Sequence, residues 1–302
     1  MSYYPTIRQI QYLLALYEFK NFRKAAESCF VTQPTLSAAM QELEQGLGVP
    51  VLDRSQRKKV VFTAFGLQVI EKSKEIMLLM DDLLSMAQNQ AEPFSGVMRL
   101  GLIPTIAPFL LPVILPALQK KFPKMQFQIT ESMSTELVEK TENGEVDLAI
   151  MAFPYDAKSL KINEFYEERF VCAAPYAVFE KNVHITFGDL QEKDILLLDD
   201  GHCLRDHAMA ACQLDQFSSD QTHKKTFSAT SLQTILQMVS QGFGLTLLPQ
   251  MMVDNFPIPE GVFLHQFVDP VPTRKIGVAW RASNPQIQNI KGVNEFLKNL
   301  LK

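Results

Sequence analysis

Cysteine is scarce in this sequence, with four residues at irregular spacing in a chain of 302. Secreted disulfide frameworks need more cysteines at recurring intervals, so that class of protein is excluded. No uninterrupted apolar run approaches the roughly 18 residues that a membrane-spanning helix requires. The opening residues, MSYYPTIRQI, turn polar too soon for a signal sequence. We therefore expect a protein of the reducing cytoplasm with no membrane partner.

A strong net charge of either sign is also lacking. The formal charge of the whole chain is −4, which by itself disfavours a nucleic-acid partner. The distribution is uneven, however. Residues 1–63 carry eight lysines and arginines against five acidic residues, whereas residues 64–302 carry 21 against 28. A small basic region before an acidic body indicates a separate module that binds a polyanion.

The basic region has the pattern of three short helices and a hairpin. The stretches IRQIQYLLALYEF and FRKAAESCF place apolar residues at i, i+3 and i+4. In QPTLSAAMQELEQGLG, Thr32 is a suitable N-cap, Pro34 falls in the first turn, and Gly46 or Gly48 can end the helix. Two helices joined by a tight turn are typical of a helix-turn-helix. The alternating stretch VPVLDRSQRKKVVFT predicts a hairpin wing with basic residues at its tip.

Double-stranded DNA is the expected polyanion. Gln33, Thr35 and Ser37 open the second helix of the motif, where short polar side chains can reach base edges. The basic residues of the wing would bind phosphates and position the module. These residues are Arg54, Arg57, Lys58 and Lys59. For each residue taken singly, a solvated surface role is an equal alternative.

A long amphipathic segment follows the wing. Thr63 can cap the helix AFGLQVIEKSKEIMLLMDDLLSMAQNQ, whose apolar residues recur every three or four positions over about seven turns. Such a helix between modules typically pairs with its copy in a dimer, although packing on its own domain gives the same pattern. From residue 97 short apolar runs alternate with helical segments, which predicts an α/β domain with parallel sheets and helices on both faces. Such sheets bind ligands at the carboxyl ends of their strands.

Two of the four cysteines, Cys203 and Cys212, lie nine positions apart in the segment DDGHCLRDHAMAAC. This spacing matches neither a zinc knuckle nor a CxxC redox motif. Cysteine is commonly buried as inert core filler, and that is the better interpretation of Cys29 and Cys172. The segment also holds two histidines, which with the cysteines could bind zinc, but their spacing fits no standard zinc site.

Taken in order, these features resemble the LysR-type transcriptional regulators. Their fold class is α/β: an N-terminal winged helix-turn-helix and linker helix precede a two-lobed effector domain shaped like a periplasmic solute-binding protein. The stretch AAESCFVTQPTLSAAMQELEQGLGVPVLDR carries this resemblance. GLIPTIAPFLLP, DGHCLRDHAMAAC and ATSLQTILQMVSQGFGLTLLP are similar to the peroxide-sensing members of the family.

The resemblance also implies domain boundaries. The DNA-binding domain would cover residues 1–63, the linker and dimerisation helix residues 64–92, and the effector domain residues 93–302. Lobe I would comprise about 93–168 and 272–302, and lobe II about 169–271.

The resemblance implies a transcription activator, not an enzyme, that senses hydrogen peroxide without a metal or cofactor. Cys203 would be oxidised to sulfenic acid, and Cys212 would then condense with it to a disulfide. On a continuous helix, residues nine apart lie ~13 Å apart along the axis, whereas a disulfide requires Cα atoms within about 4.4–6.8 Å. If the segment is helical, forming the bond requires it to refold.

Several residues would support this chemistry. A helix N-terminus after Gly201, together with His202 and Arg205, would favour the Cys203 thiolate, whereas Asp199 and Asp200 oppose it, so the sequence leaves the pKa of the thiol open. The resemblance assigns four residues to peroxide binding: Thr105, Ser134, His202 and Arg281. A helix cap or strand-end turn is an equal alternative for Thr105 and Ser134, and a surface salt bridge is one for Arg281. Ser134 stands where the family has threonine, and His207 stands where it has glutamine.

The expected partners are double-stranded promoter DNA, a second copy in a homodimer that assembles to a homotetramer, RNA polymerase, hydrogen peroxide and cytosolic thiol reductants. Two other functions stay open from sequence. A regulator of the same family could bind a small organic metabolite in the effector cleft, with incidental cysteines. A thiol peroxidase would use the same thiol chemistry for turnover, but the helix-turn-helix disfavours it.

Overall fold

The computed structural model describes residues 3–53, 59–180, 183–191, 193–199, 201, 203–211 and 228–301. The chain divides into two compact units, Met1–Ala87 and Gln88–Lys302. Each unit contains a hydrophobic cluster of its own. Among the described residues, no helix is both long enough and apolar enough to cross a membrane.

The first unit is built on three helices: α1 (Ile7–Phe19), α2 (Phe22–Ser28) and α3 (Gln33–Leu47). Side chains of Thr6 and Asn21 cap α1 and α2 by accepting hydrogen bonds from first-turn N–H groups. Thr32 caps α3, as predicted. The helix ends at Gly48, whose φ of +73° is a left-handed conformation that favours glycine. The structure thus selects Gly48 over Gly46 as the residue that stops the helix.

The predicted wing has an antiparallel base. Leu52 and Phe62 form a bridge across it, and the Asp53 N–H donates to the Val61 carbonyl at 2.8 Å. Residues 54–58 at its tip lie outside the described residues. Helix α4 (Ala64–Ala91) follows, and the Thr63 hydroxyl caps it by accepting from a first-turn N–H at 2.9 Å.

The second unit alternates strands and helices. Its strands are β1 (Gly96–Leu102), β2 (Met125–Glu131), β3 (Leu148–Phe153), β4 (Leu160–Pro175), β5 (Leu197–Leu198), β6 (Ser228–Ala229), β7 (Thr246–Pro249), β8 (Val262–His265) and β9 (Thr273–Arg281). Its helices are α5 (Ala107–Lys121), α6 (Ser134–Glu142), α7 (Cys203–Ala211), α8 (Leu232–Ser240), α9 (Gln250–Asn255) and α10 (Ile287–Leu300). The main sheet has the order β2-β1-β3-β9-β4-β7, with β8 also paired to β4, and β5 pairs with β6 separately.

The prediction of parallel sheets is only partly confirmed. Strand β1 is parallel to β2 and β3, and β5 is parallel to β6. Strand β9 is antiparallel to both β3 and β4, and β4 is antiparallel to β7 and β8. Strand β8 and the first half of β4, LKINEFYEER, were not predicted. In that half of β4, charged side chains interrupt the apolar alternation that marks a strand.

Parallel pairing of β1, β2 and β3 brings their carboxyl ends to one edge of the sheet. The chain leaves these three strands just before Thr105, Ser134 and Pro154 respectively. These residues therefore gather at that edge. Helix α7 contacts β5 and β9 and brings Cys203 to the same place.

Candidate functional site

Cys203 is the first residue of α7 and is buried, with 4% of its surface exposed. Gly201 precedes it with φ of +97°, a conformation that other residues rarely adopt, so this turn into the helix favours glycine. The thiol borders a narrow cavity at the edge where β1 and β2 end. Its lining comprises Ile103, Pro104, Thr105, Met133, Ser134, Gly201 and Cys203.

Opposing effects act on the Cys203 thiol. Burial raises its pKa above the ordinary value, because a thiolate loses hydration inside the protein. The hydrogen bond with the Ser134 hydroxyl and the positive charge of Arg274 lower the pKa, whereas Asp206 adds to the rise. Burial prevails over the groups that lower it. In this conformation the sulfur therefore holds its proton more tightly than a free cysteine does.

A buried ion pair adjoins the cavity. The Arg274 guanidinium lies 2.7 Å from a Glu168 carboxylate oxygen, and the two side chains are 1% and 0% exposed. The other Glu168 oxygen accepts from the Met251 N–H at 2.9 Å. Arg274 also donates to the Thr105 hydroxyl and carbonyl oxygens, at 3.2 and 3.3 Å. The ion pair thus fixes a cation beside Thr105 and close enough to affect Cys203.

Sequence reasoning missed this ion pair. Glu168 follows Glu167 in β4, and Arg274 precedes Lys275 in β9, so each buried charge stands next to an exposed one of the same sign. Successive side chains of a strand face opposite sides of the sheet, so the sequence indicates that one residue of each pair is buried. It could not tell which member of each pair faces inward.

The structure brings together three of the predicted site residues and separates a fourth. Thr105, Ser134 and Cys203 line the same cavity. Arg281 ends β9, seven residues beyond Arg274, which corresponds to about 23 Å along the strand. Arg281 therefore lies away from the Cys203 cavity, and Arg274 is the arginine of β9 that contacts Thr105 there. His202 and Cys212 lie outside the described residues.

Two other polar side chains of α7, those of Arg205 and His207, contact backbone carbonyl oxygens of different segments. Arg205, a predicted contributor to the thiolate, donates to the Leu198 carbonyl at 3.2 Å. His207 is buried, and its Nε2 lies 2.9 Å from the Pro154 carbonyl oxygen. Burial lowers the pKa of His207, so the neutral imidazole is favoured.

In the first unit, several predicted DNA contacts border one concave surface. Gln33, Ser37 and Lys59 line it together with Lys20 and Arg23. The surface thus combines polar groups of α3 with basic residues from the end of α1, from α2 and from the wing.

Thr35 has a structural role as well. Its hydroxyl lies 2.8 Å from that of Thr32, and its N–H donates to the same Thr32 oxygen at 3.4 Å. It therefore completes the cap of α3. Arg54, Arg57 and Lys58 lie outside the described residues.

Comparison with known families gives two matches. The model described as "Bacterial regulatory helix-turn-helix protein, lysR family" matches residues 7–67. The model described as "LysR substrate binding domain" matches residues 91–302.

Similar individual proteins point the same way. The chain is 38% identical over 283 residues to the hydrogen peroxide-inducible genes activator of Dickeya chrysanthemi, covering 92% of this chain and 90% of that protein. A full-length OxyR cysteine variant from Pseudomonas aeruginosa matches with a TM-score of 0.74 and 30% identity, covering 97% and 94% of the two chains. A hydrogen peroxide-bound OxyR cysteine mutant from Corynebacterium glutamicum matches with a TM-score of 0.66 and 29% identity, covering 99% and 94%.

Proposed function

Because the chain belongs to the LysR family of transcriptional regulators, we propose that it senses hydrogen peroxide through Cys203 and activates oxidative-stress genes. Relatives named for hydrogen peroxide-inducible genes support this function. The observation that carries the proposal is the position of Cys203, which starts α7 in a cavity with Ser134 and Thr105 under the influence of the Arg274 charge.

The proposed reaction uses these groups directly. The Cys203 thiolate attacks one peroxide oxygen, the O–O bond breaks, and sulfenic acid forms while the departing hydroxide takes up a proton to become water. Arg274 stabilises the negative charge on sulfur and on the departing oxygen. The Thr105 and Ser134 hydroxyls can donate to and accept from peroxide. Because Cys203 is only 4% exposed, peroxide reaches the sulfur once the residues that line the cavity move apart.

The second step requires a larger rearrangement. Cys212 lies outside the described residues, but it directly follows Ala211, the last residue of α7. Eight helical steps separate the Cα atoms of Cys203 and Ala211 by about 12 Å, and one peptide unit spans only about 3.8 Å. The two cysteine Cα atoms thus stay at least about 8 Å apart while α7 is helical, beyond the roughly 6.8 Å limit of a disulfide. The Cys212 thiol can displace water from the sulfenic acid only after α7 unwinds.

We infer that this unwinding is the signal. It would reorganise residues 93–302 as the effector domain, with the lobes divided as the resemblance implies, and turn the subunits against one another. Operator half-sites would then be held differently by residues 1–63. Candidate base contacts are Gln33, Thr35 and Ser37, and candidate phosphate contacts are Lys59 with Arg54, Arg57 and Lys58.

Self-association is part of the proposal, with residues 64–92 as the dimerisation helix. Helix α4 exposes apolar side chains along much of its length: Leu67, Ile76, Leu79, Leu83, Leu84 and Met86 are 40–67% exposed in the single chain. A partner helix would cover such a stripe. We propose a homodimer that assembles to a homotetramer in the cytoplasm, contacts RNA polymerase and is reset by thiol reductants.

Mass spectrometry of thiol status across a graded peroxide titration tests the function, with operator footprinting on the same samples. We expect a Cys203–Cys212 disulfide to appear at the same dose as the footprint change. Cys203→Ser should abolish both responses, and Cys172→Ser, which alters a fully buried cysteine in β4, should retain them. A normal response of Cys203→Ser would refute the switch. A footprint change with a metabolite and no thiol loss would favour a metabolite-responsive regulator.

A further inference from the structure

His207 links α7 to the main sheet. It lies four residues after Cys203 and therefore on the same face of the helix. The ring is 7% exposed, and its Nε2 lies 2.9 Å from the carbonyl oxygen of Pro154, just after β3. A neutral ring protonated on Nε2 donates this hydrogen bond. The contact thus joins the helix that must unwind to a segment adjoining the sheet.

The surroundings of the other ring nitrogen, Nδ1, determine which protonation state of His207 is favoured. Within the described part of the chain, the buried Nδ1 has no hydrogen-bond partner. Among the described residues, the charged groups acting on the ring are Arg274 from β9, which opposes a positive imidazole, and Asp206 on α7, which favours it. Asp206 is exposed to solvent, whereas Arg274 is buried. A proton on Nδ1 would therefore create a buried N–H with no acceptor. It would also place a positive charge where water cannot hydrate it, so the neutral ring is favoured.

We propose that His207 is a positioning residue that latches α7 in its reduced, helical form, and that disulfide formation releases the latch with uptake of one proton by the freed imidazole. The proposal rests on the function proposed above. It concerns a residue that the resemblance does not supply, since histidine stands here where the family has glutamine.

The proposal predicts a specific pH dependence of the thiol–disulfide equilibrium. When the two thiols react with glutathione disulfide, one S–S bond breaks and one forms, and two S–H bonds break and two form. No net proton is exchanged in this thiol–disulfide step. If His207 leaves its buried site, it regains an ordinary titration near pH 6.5 and takes up one proton below that pH. The equilibrium then shifts toward the disulfide as the pH falls.

The sign follows from linkage. Burial lowers the pKa of His207 in the reduced form, so the latch is fully effective above pH 6.5. It weakens as the pH falls from 6.5 toward the lowered value. Over that window the equilibrium constant for oxidation should rise by up to tenfold per pH unit, because only the unwound form binds the proton.

The test equilibrates full-length protein with fixed glutathione ratios from pH 5.5 to 8.0, without oxygen and with a catalytic amount of glutaredoxin. Acid quenching, alkylation and peptide mass spectrometry then give the oxidised fraction of Cys203–Cys212. We expect a flat profile above pH 7 and a rising oxidised-to-reduced ratio below 6.5. His207→Gln can keep a donor to Pro154 but does not titrate, so its profile should stay flat throughout.

His265→Gln is the matched control. His265 is also buried, binds a backbone carbonyl through one ring nitrogen, and has no partner for the other among the described residues, but it lies in β8. It should keep the wild-type profile. As a second readout, NMR titration should give His207 a higher pKa in the oxidised protein than in the reduced protein.

A disulfide that forms with a flat profile in wild type, or a pH dependence that survives in His207→Gln, would overturn the latch alone. Failure of the wild type to form the Cys203–Cys212 disulfide at any pH would overturn the proposed function and the latch together.

Discussion

At the scale of single residues, the reactivity of Cys203 depends on a competition between burial and its polar neighbours. Burial raises the pKa of the thiol, while the Ser134 hydroxyl and the Arg274 cation lower it. Because burial prevails, the closed conformation holds less thiolate at neutral pH than a free cysteine would. For a thiol that is 4% exposed, we expect the reaction with peroxide to take place from conformations in which the cavity has opened.

The Ser134 hydroxyl gives a test of this balance. Ser134→Ala removes a hydrogen bond to the sulfur, and hydrogen bonds to charged groups contribute roughly 1.5–3 kcal/mol. We expect Cys203 alkylation by iodoacetamide to slow by about tenfold at pH 8, with the midpoint of its pH–rate profile moved upward. Ser132→Ala is the control, because Ser132 is equally buried but accepts from Lys140. Equal slowing in both variants would argue against a specific role for Ser134.

At the scale of elements, α7 controls whether the disulfide can form. While α7 is helical from Cys203 to Ala211, Cys203 lies too far from the residue after Ala211 for a disulfide. Any change in helix stability therefore changes the free energy of disulfide formation. Ala210 is exposed on this helix and offers a substitution that leaves the cavity untouched.

Ala210→Gly should weaken α7 by about 1 kcal/mol. The glutathione equilibrium should then shift about fivefold toward the disulfide. Ala38→Gly, at an exposed position of α3, should leave that equilibrium unchanged. If Ala210→Gly has no effect, α7 does not unwind when the bond forms.

Helix α4 is the element whose apolar face requires a partner. Leu79 and Leu83 are 66% and 58% exposed in the single chain, and covering each would contribute about 1–2 kcal/mol. Replacing both with aspartate should weaken self-association at least about a hundredfold in sedimentation velocity. Asp81→Asn, which alters a nearby exposed charge, should leave the sedimentation coefficient unchanged. An unchanged assembly in the double variant would place the interface elsewhere.

At the scale of the whole molecule, the positive charge that DNA binding requires is concentrated in the first unit. The basic residues are in excess in residues 1–63, whereas the rest of the chain is acidic. Long-range repulsion between the acidic body and DNA leaves the basic surface as the favoured approach. Affinity should therefore depend strongly on salt, because phosphate contacts release counterions.

Lys59→Ala should reduce the slope of log affinity against log salt by about one per bound subunit, with little change in operator preference. Lys158→Ala removes an exposed lysine of the second unit that pairs with Asp156 and should leave the slope unchanged. Equal slopes in all three proteins would show that Lys59 does not contact phosphate.

The sequence by itself determined the local elements. Caps such as Thr32 and Thr63, and the apolar periodicity of α1, α3 and α4, depend on neighbours within a few residues, so the pattern contains the required information. The same holds for the presence of Cys203 and Ser134 in short recognisable motifs. The antiparallel return of β9 and the first half of β4 escaped prediction because strand pairing is decided between distant segments.

Only the tertiary structure decided which charge reaches Cys203. Arg281 and Arg274 lie on the same strand, yet only Arg274 meets Glu168 and Thr105, because the partner strand and the inward face select it. The same applies to His207, whose contact with Pro154 joins residues 53 positions apart. Burial and charge act through space, and a linear pattern does not record which distant groups share an edge of a sheet.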